Sequence, residues 1–295
     1  MKIAIAMTAF DRPEYLARTL DTYKRLRGVD EHDFYFVLEG PHNQATKAKC
    51  EQVRQVAESF PHPNKTIWAR EKNAGVAHQI YESKQRLFDM GYDAVLSCVD
   101  DFLVAPYALD ALLLAYSELD EYTSDLFTIC VGSPTSSSQE DKAANLDLFT
   151  AGGENTFYLK TRKVWTEIEP IYGEYIRKFI TPQIERGHPT PYRSRPSGEI
   201  RKWFTEILGR PLNPPLFASS QDGCVDIACK IKNIKKMKTY VNHAKCFGEM
   251  GEHARPSSFH KSRHGRTVLH EFDRDEVLAA LSTPRFKHCT PKENL

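Results

Sequence analysis

Six apolar or small residues run directly into two acidic ones in the stretch Ala94-Val95-Leu96-Ser97-Cys98-Val99-Asp100-Asp101. A short apolar run of this kind is typical of a strand that is buried on both faces. Two adjacent carboxylates at the end of such a strand repel each other, and a bound cation would offset the repulsion. A solvated turn or a helix cap ahead of Pro106 would carry the same two residues. The stretch therefore predicts a buried strand that ends in either an acidic turn or a cation site.

The pattern of an apolar run followed by a helix-like stretch repeats through the first 135 residues. Apolar runs occupy residues 3–7, 34–38, 66–69, 94–98 and 126–131, and helical spacing of apolar residues occurs over 14–26, 45–60, 76–90 and 107–122. Strands that recur about every 30 residues with helices between them form βαβ units. The sequence therefore predicts an α/β fold with a mostly parallel central sheet and helices on both faces.

The second half of the chain is less regular. Its pattern predicts helices over residues 162–180, 198–208 and 222–231, and strands over 156–159 and 237–241. We expect residues 1–135 and 136–295 to be two halves of one continuous domain.

The two halves differ in charge. Residues 1–150 contain 15 Lys and Arg against 23 Asp and Glu, whereas residues 151–295 contain 25 against 16. A basic half is suited to a polyanionic partner, although solubility alone can produce such an asymmetry. No apolar run is long enough to span a membrane. Seven widely spaced cysteines without a C-x-x-C pair favour a reduced, cytoplasmic protein.

Polar or small residues follow each of the first four predicted strands. In a parallel sheet the carboxyl ends of the strands meet at one edge, where ligands bind. Gly75, at the start of a predicted helix, allows a tight turn and lets the helix N-terminus bind phosphate or ribose oxygens. An ordinary turn with a helix cap has the same sequence. The residues that we expect at this edge are Thr8, Ala9, Phe10, Arg12, Glu39, Asn73, Gly75, Asp100 and Asp101. The chain has no G-x-G-x-x-G after its first strand and no P-loop, which argues against a dinucleotide dehydrogenase and a P-loop NTPase.

Three of these exits resemble the GT-A glycosyltransferases. Thr8-Ala9-Phe10-Asp11-Arg12-Pro13 resembles the loop that opens the family, Asn73-Ala74-Gly75 its N-x-G segment, and Asp100-Asp101-Phe102-Leu103-Val104-Ala105-Pro106 its D-x-D region. The last is closest to the E-D-D-L-x-x-A-P form of the N-acetylglucosaminyltransferase I-like branch, with Val99 in place of the first acid. Family 2 enzymes share the same fold.

The resemblance implies a metal-dependent glycosyltransferase that uses a nucleotide-sugar, with a UDP-sugar favoured. It makes residues 1–135 the donor half, with Glu39 against the base, Asp100 beside the sugar or ribose, and Asp101 as the main ligand of Mn²⁺ or Mg²⁺. The segment Gly248-Glu249-Met250-Gly251-Glu252-His253 resembles a C-terminal loop whose histidine, here His253, reaches the metal or the diphosphate. The remaining donor contacts would come from Thr8, Ala9, Phe10, Arg12, Asn73 and Gly75.

The second half resembles the acceptor side of the same family. Gly152, Gly153 and Glu154 belong to a glycine loop, and Gln221-Asp222-Gly223-Cys224-Val225-Asp226 resembles the segment that carries the catalytic base, with Gln221 replacing an acid. A carboxylate at that place can take the proton of the acceptor hydroxyl. Asp222 is the candidate base and Asp226 and Glu154 are the reserves, although a helix cap explains Asp222 equally well.

Basic and aromatic residues interleave in this half, with Trp203 between Lys202 and Phe204. That mixture suits phosphate backbones and unstacked bases, and it favours a nucleic-acid acceptor such as a hydroxymethylated base in DNA. A glycan, lipid-linked or protein acceptor is the alternative. The run of basic residues is also explained by a solvated lysine face that binds no partner. Two other classes stay open, a nucleotidyltransferase and a non-catalytic nucleic-acid-binding protein on the same fold.

Overall fold

Four parallel strands from the first hundred residues form one end of the central sheet. In the computed structural model, which describes residues 1–132, 137–153, 156–187, 197–211, 220–250 and 256–287, these strands are β1 (Ile3–Ala9), β2 (Asp33–Leu38), β3 (Lys65–Ala69) and β4 (Ala94–Val99). The helices between and after them are α1 (Pro13–Tyr23), α2 (Gln44–Ser59), α3 (Val76–Asp89) and α4 (Ala108–Tyr122). Each element lies within three residues of its predicted bounds.

Strands from the second half continue the same sheet. They are β6 (Phe127–Cys130), β7 (Leu148–Ala151), β8 (Tyr158–Thr161), β9 (Lys235–Thr239) and β11 (Arg285–Phe286). The described sheet has the order β11-β7-β9-β6-β8-β4-β1-β2-β3. β8 runs antiparallel to β4 and β6, and β7 runs antiparallel to β9, while the other pairs are parallel. The predicted mostly parallel sheet is confirmed, and it spans both halves of the chain.

The described helices of the second half include the three that the sequence predicts, with small shifts, and five that it does not predict. They are α5 (Gln139–Ala143), α6 (Arg162–Tyr175), α7 (Thr181–Glu185), α8 (Ser197–Leu208), α9 (Gln221–Ile231), α10 (Pro256–Phe259), α11 (Arg263–Arg266) and α12 (Arg274–Leu281). The predicted helix 162–180 ends in a π-helical turn, Ile176–Ile180. Two predicted strands differ from the observed ones by two residues. The strand predicted over 156–159 is β8 (Tyr158–Thr161), and the strand predicted over 237–241 is β9 (Lys235–Thr239).

Two hydrophobic cores cover the two faces of the sheet. Alternation along β1 sends Ile3, Ile5 and Met7 to the core beneath α1, α2, α4 and α12, and sends Ala4 and Ala6 to the core beneath α3, α6, α8 and α9. Side chains alternate in this way because successive residues of a strand point to opposite faces. The α/β class with helices on both faces is therefore confirmed.

A two-stranded ribbon lies beside the end of β4. It pairs β5 (Phe102–Val104) antiparallel with β10 (Ala244–Cys246). Strands of three residues are too short to show a hydrophobic period, so the sequence did not predict them. The ribbon places the segment after β10 over the acidic pair.

In the described part of the chain, no helix is long and apolar enough to cross a membrane. The six cysteines there are all free thiols.

Candidate functional site

The predicted donor residues lie along one edge of the sheet, where β1, β2, β3 and β4 end. β1 is the strand at which the order of the sheet reverses, with β2 and β3 on one side and β4 on the other. The backbone N–H of Glu39 donates to the carbonyl of Ala9 at 2.9 Å, and the hydroxyl of Thr8 donates to the carbonyl of Cys98 at 3.2 Å. Crevices at such reversal points bind ligands in open α/β sheets.

Arg12 joins both acidic residues at the end of β4. Its Nε donates to Oδ2 of Asp100 at 3.2 Å and its Nη2 donates to Oδ1, which makes the contact two-pronged. Its Nη1 donates to Oδ2 of Asp101 at 3.1 Å. A guanidinium is a planar fork that matches a carboxylate in this geometry. The cation that offsets the two carboxylates in this structure is therefore a side chain of the protein.

Burial shifts the pKa values of the charged groups in this cluster. The Asp100 side chain is only 5% exposed, against 17% for Asp101 and 27% for Arg12. Burial raises the pKa of the Asp100 carboxyl and the nearby Asp101 raises it further, although Arg12 lowers it. Burial opposes the charge on Arg12, but both carboxylates outweigh this effect and raise its pKa. With all three groups ionised, the cluster carries an excess of one negative charge.

Glu39 lies on the other side of β1 with one oxygen occupied and the other free. Its Oε1 accepts the backbone N–H of Gly40 at 2.9 Å and that of Ala74 at 3.1 Å. Its Oε2 is buried and has no hydrogen-bond partner among the described residues. Burial raises the pKa of this carboxyl. An unpaired oxygen of a buried carboxylate is costly, and a ligand that donates an N–H would compensate it.

The turn before α3 packs closely on the end of β2. The Nδ2 of Asn73 donates to the carbonyl of Gly40 at 3.1 Å. A Cβ on Gly40 would lie 2.5 Å from the backbone of Lys72, so only glycine allows this approach. Gly75 precedes α3 with a φ of +80°, which also favours glycine. Phe10, from the β1 exit, lies half-buried with its ring 5.3 Å from that of His42.

The segment after β10 covers the acidic pair. The backbone N–H of Phe247 donates to the carbonyl of Asp101 at 2.9 Å, and a Cβ on Gly248 would lie 2.2 Å from Oδ2 of Asp101. The carbonyl of Met250 accepts from Nη1 of Arg12 at 3.2 Å, and its N–H donates to the hydroxyl of Tyr15. The sequence predicted this segment at the site but did not list Tyr15 among the site residues. His253 lies outside the described residues.

The side chains at this edge, as arranged, do not fit the predicted metal. Mg²⁺ demands near-octahedral oxygen ligands, and Mn²⁺ is likewise suited to oxygen donors. Both oxygens of Asp100 accept from Arg12, and Oδ2 of Asp101 accepts from Arg12 beneath Gly248. Among the described residues no cluster of three or more His, Cys, Asp or Glu could hold a metal ion. In this arrangement Arg12, rather than a metal ion, supplies the charge that opposes the two carboxylates.

The predicted base lies at the start of α9. Asp222 is exposed in the first helical turn, behind the cap formed by Ser220. Its charge acts on two buried groups beneath it, raising the pKa of Lys84 on α3 and that of Tyr158 on β8, although burial dominates both shifts. The reserve, Asp226, forms an ion pair of 2.6 Å with Lys236 that ties α9 to β9. The assignment of the base to Asp222 stays a prediction.

The residues predicted for the acceptor fall into different surroundings. Gly152 has a φ of +110° and open space around it, while a Cβ on Gly153 would lie 2.7 Å from the thiol sulfur of Cys130. Glu154 lies outside the described residues. Trp203 is 8% exposed and packs against Phe179 and Phe204 in the second core. Core packing explains Trp203 without an acceptor.

Some lysines of the basic second half form ion pairs with acidic residues of the same half. Lys232 pairs with Glu167 at 3.1 Å, and Lys236 pairs with Asp226. A solvated lysine face accounts for these positions. Four further basic residues lie on and around α10 and α11, namely His260, Lys261, Arg263 and Arg266. His260 pairs with Glu249 at 3.0 Å.

No protein-family profile matches this chain, and no curated protein matches it. Among solved structures it is similar to a protein from Desulfovibrio desulfuricans provisionally named a nucleotide-diphospho-sugar transferase, with a TM-score of 0.30, 16% identity, and coverage of 45% of this chain and 59% of the other. It is also similar to residues 1–349 of TarS from S. aureus in complex with UDP-GlcNAc, with a TM-score of 0.38, 14% identity, and coverage of 58% and 48%. The chain thus spans roughly half the length of each. Superpositions this loose carry no argument about function.

Proposed function

We propose that this chain is a GT-A type glycosyltransferase, an enzyme that moves a sugar from a nucleoside-diphosphate sugar to an acceptor hydroxyl. The observation that carries the proposal is the pair of polar features that flank β1. Glu39 has a buried carboxylate oxygen without a hydrogen-bond partner among the described residues on one side, and Arg12, Asp100 and Asp101 form a charged cluster on the other. Two strand spacings, about 10 Å, separate these exits. A base at one end and the sugar or ribose hydroxyls, which can donate to the carboxylates, at the other would occupy both.

Glu39 supports a choice among nucleotide bases. Its Oε2 needs a hydrogen-bond donor, and it has none among the described residues. Uracil and guanine carry a ring N–H that can donate to a carboxylate, whereas cytosine and adenine have an acceptor at the corresponding ring nitrogen and donate only through an exocyclic amino group. A uracil or guanine nucleotide therefore suits Glu39, and we favour UDP.

The proposed reaction exchanges one bond at the anomeric carbon of the sugar. The acceptor oxygen forms a bond to that carbon, and the bond from the carbon to the diphosphate oxygen breaks, with its electron pair leaving on the diphosphate. The proton of the acceptor hydroxyl passes to a carboxylate, for which Asp222 is our candidate. Its exposed position at the start of α9 leaves the carboxylate accessible to an acceptor.

The acceptor is the least constrained part of the proposal. A hydroxymethylated base in DNA is one candidate, because Lys261, Arg263 and Arg266 cluster around α11. A carbohydrate, lipid-linked or protein hydroxyl is the other. The charge pattern favours the polyanion, and the burial of Trp203 removes one ring that the sequence assigned to base stacking.

A two-step experiment tests the proposed function. Calorimetry with UDP, GDP, CDP and ADP measures base preference, and we expect UDP or GDP to bind at least tenfold more tightly than CDP because each can donate its ring N–H to Glu39. Mass spectrometry then follows transfer from UDP-glucose and UDP-GlcNAc, with and without Mn²⁺, to hydroxymethylated DNA, oligosaccharides and peptides. The control Asp21→Asn changes an exposed residue of α1 that pairs with Lys24 and should behave as the wild type.

Two results would contradict the proposal. Equal, millimolar binding of all four nucleotides would remove the role of Glu39. Binding of DNA without any hydrolysis or transfer of a nucleotide-sugar would instead identify the chain as a non-catalytic binding protein.

A further inference from the structure

Arg12 makes more contacts with the acidic pair than a surface ion pair requires. Three of its nitrogens donate to carboxylate oxygens, and Nη1 also donates to the carbonyl of Met250 at 3.2 Å. Its guanidinium also lies 5.0 Å from the centre of the Tyr15 ring. These partners come from α1, from the turn after β4 and from the segment after β10. Arg12 is therefore fixed by three separate parts of the chain.

The two carboxylates are also restricted from their other sides. The backbone of Asp100 accepts the hydroxyl of Thr19 at 2.8 Å, and that of Asp101 accepts the N–H of Phe247 at 2.9 Å. The backbone of Gly248 lies so close to Oδ2 of Asp101 that a Cβ there would be 2.2 Å away. A cation arriving from solvent would have to displace Arg12 to bind either of the carboxylate oxygens of Asp100.

We propose that Arg12 is the resident cation of this site, and that it prevents Asp100 and Asp101 from binding a divalent metal ion in the ligand-free protein. Arg12 is a positioning residue in this role, because it holds both carboxylates in one arrangement. The inference concerns the ligand-free chain alone and does not depend on the proposed sugar transfer. It differs from the metal-bound D-x-D arrangement that the sequence suggests.

Titration with Mn²⁺, followed by the electron paramagnetic resonance of the free ion, tests this proposal without any nucleotide or activity assay. We expect the wild type and Asp101→Asn to bind Mn²⁺ equally weakly. Arg12→Met should bind it about tenfold more tightly or better, because an opposing charge within a few ångströms is removed. The double variant Arg12→Met/Asp101→Asn should lose this gain. Arg18→Met is the matched control, because Arg18 also contacts this region, with its guanidinium 4.4 Å from the Phe247 ring, and should match the wild type.

Two outcomes would overturn the proposal. One is Mn²⁺ binding to the wild type that is at least about tenfold tighter than to Asp101→Asn, since the pair would then be available with Arg12 present. The other is a folded Arg12→Met, verified by circular dichroism, with no gain in affinity. If Arg12→Met does not fold, the comparison of the wild type with Asp101→Asn decides alone. Because no nucleotide-sugar is used, the proposal can fail while the proposed function stands, and the reverse also holds.

Discussion

Glu39 and Ala74 are joined by a hydrogen bond of 3.1 Å from the backbone N–H of Ala74 to Oε1 of the carboxylate, 35 positions apart in the chain. The contact fixes the carboxylate at the end of β2 against the turn before α3. It also leaves Oε2 buried and unpaired within the described structure. A side chain fixed in this way is preorganised for a ligand that donates a hydrogen bond.

Replacement of Glu39 by Gln should weaken UDP binding without unfolding the protein. The amide oxygen of Gln can still accept from Ala74 and Gly40, but its NH₂ group would face the N–H of uracil. We expect the Kd for UDP, measured by calorimetry, to rise about ten- to hundredfold, since a charged acceptor is lost. The control is Glu58→Gln, an exposed residue of α2 that pairs with Arg54 on the same helix. An unchanged Kd for UDP in folded Glu39→Gln would remove Glu39 from the base site.

Gly40 should be intolerant of any side chain. The added Cβ of Gly40→Ala would lie 2.5 to 2.7 Å from three backbone atoms of Lys72, which cannot rotate away as a side chain can. We expect the free energy of unfolding, from urea denaturation, to fall by about 1–3 kcal/mol. Gly198→Ala is the matched control, because no atom lies within 4 Å of its added Cβ in α8 and alanine favours helix. Equal stability of the two variants would show that the loops at this edge separate easily.

The first half of the fold could be predicted because its signals are local. Each buried strand and each amphipathic helix shows its period within about ten residues, so β1 and α3 were predicted almost to the residue. Arg12 and Asp100 were both assigned to the site, but their ion pair joins positions 88 apart, and no sequence period encodes such a contact. The sequence therefore places both residues at the same edge of the sheet, but it does not encode the ion pair between them.

Trp203 shows how composition can mislead. Basic neighbours suggested a surface ring, yet Ile200, Trp203 and Phe204 have the i, i+3, i+4 spacing of a buried helix face, and all three are buried. That spacing was the signal that would have placed Trp203 in the core. The ribbon of β5 and β10 left no comparable signal because each strand has three residues.

Asp222 and Asp226 can be distinguished kinetically if the enzyme has the proposed activity. Asp222→Asn should lower kcat by about 10²- to 10⁴-fold with an unchanged Kd for the nucleotide, because only the proton acceptor is removed. Asp226→Asn lies one turn further along α9 and loses its ion pair with Lys236. We expect its kcat, measured by transfer assays, to stay within a few-fold of the wild type. A larger loss in Asp226→Asn would reassign the base.

His243 should make the protein sensitive to acid. It is fully buried, its two ring nitrogens have no hydrogen-bond partner in the described structure, and its ring lies edge-on to Tyr107. Burial, with a smaller effect of Lys142, lowers the pKa of His243 to about 4. Between pH 6.5 and about 4 the unfolded chain takes up a proton at this residue that the folded chain refuses. The free energy of unfolding should therefore fall as the pH falls through this window, by up to about 3 kcal/mol.

The variant His243→Phe isolates this contribution, because it keeps an aromatic contact with Tyr107 and removes the titrating group. Urea denaturation from pH 7 to pH 4 should show a shallower loss of stability than in the wild type. His260→Gln, at an exposed histidine, should leave the wild-type slope unchanged. An identical slope in His243→Phe would mean that other groups cause the acid sensitivity.

The burial of the charged Lys160 side chain should lower the free energy of unfolding at neutral pH. It is fully buried on β8, and its Nζ has no hydrogen-bond partner among the described residues, with the rings of Tyr158 and Trp165 at 5.4 and 5.8 Å. Burial lowers the pKa of Lys160 to about 8. The nearby Lys84, whose Nζ donates to the hydroxyl of Tyr158, adds a second amine to the same layer, and Lys160 lowers the pKa of Lys84 in addition to the effect of burial.

Lys160→Met should therefore stabilise the fold. The pKa of Lys160 is lower in the folded chain than in the unfolded chain. The loss of stability that this residue causes is therefore greatest below about pH 8 and disappears as the pH rises to 10.5. We expect the free energy of unfolding to increase by about 1–3 kcal/mol at pH 7, and the gain to shrink at pH 10. Chemical denaturation at both pH values measures it, with exposed Lys230→Met as the control. A destabilised Lys160→Met at pH 7 would instead mean that the ammonium group is held favourably by the two rings. A stabilised but inactive variant would indicate that the protein retains a costly buried amine for its function.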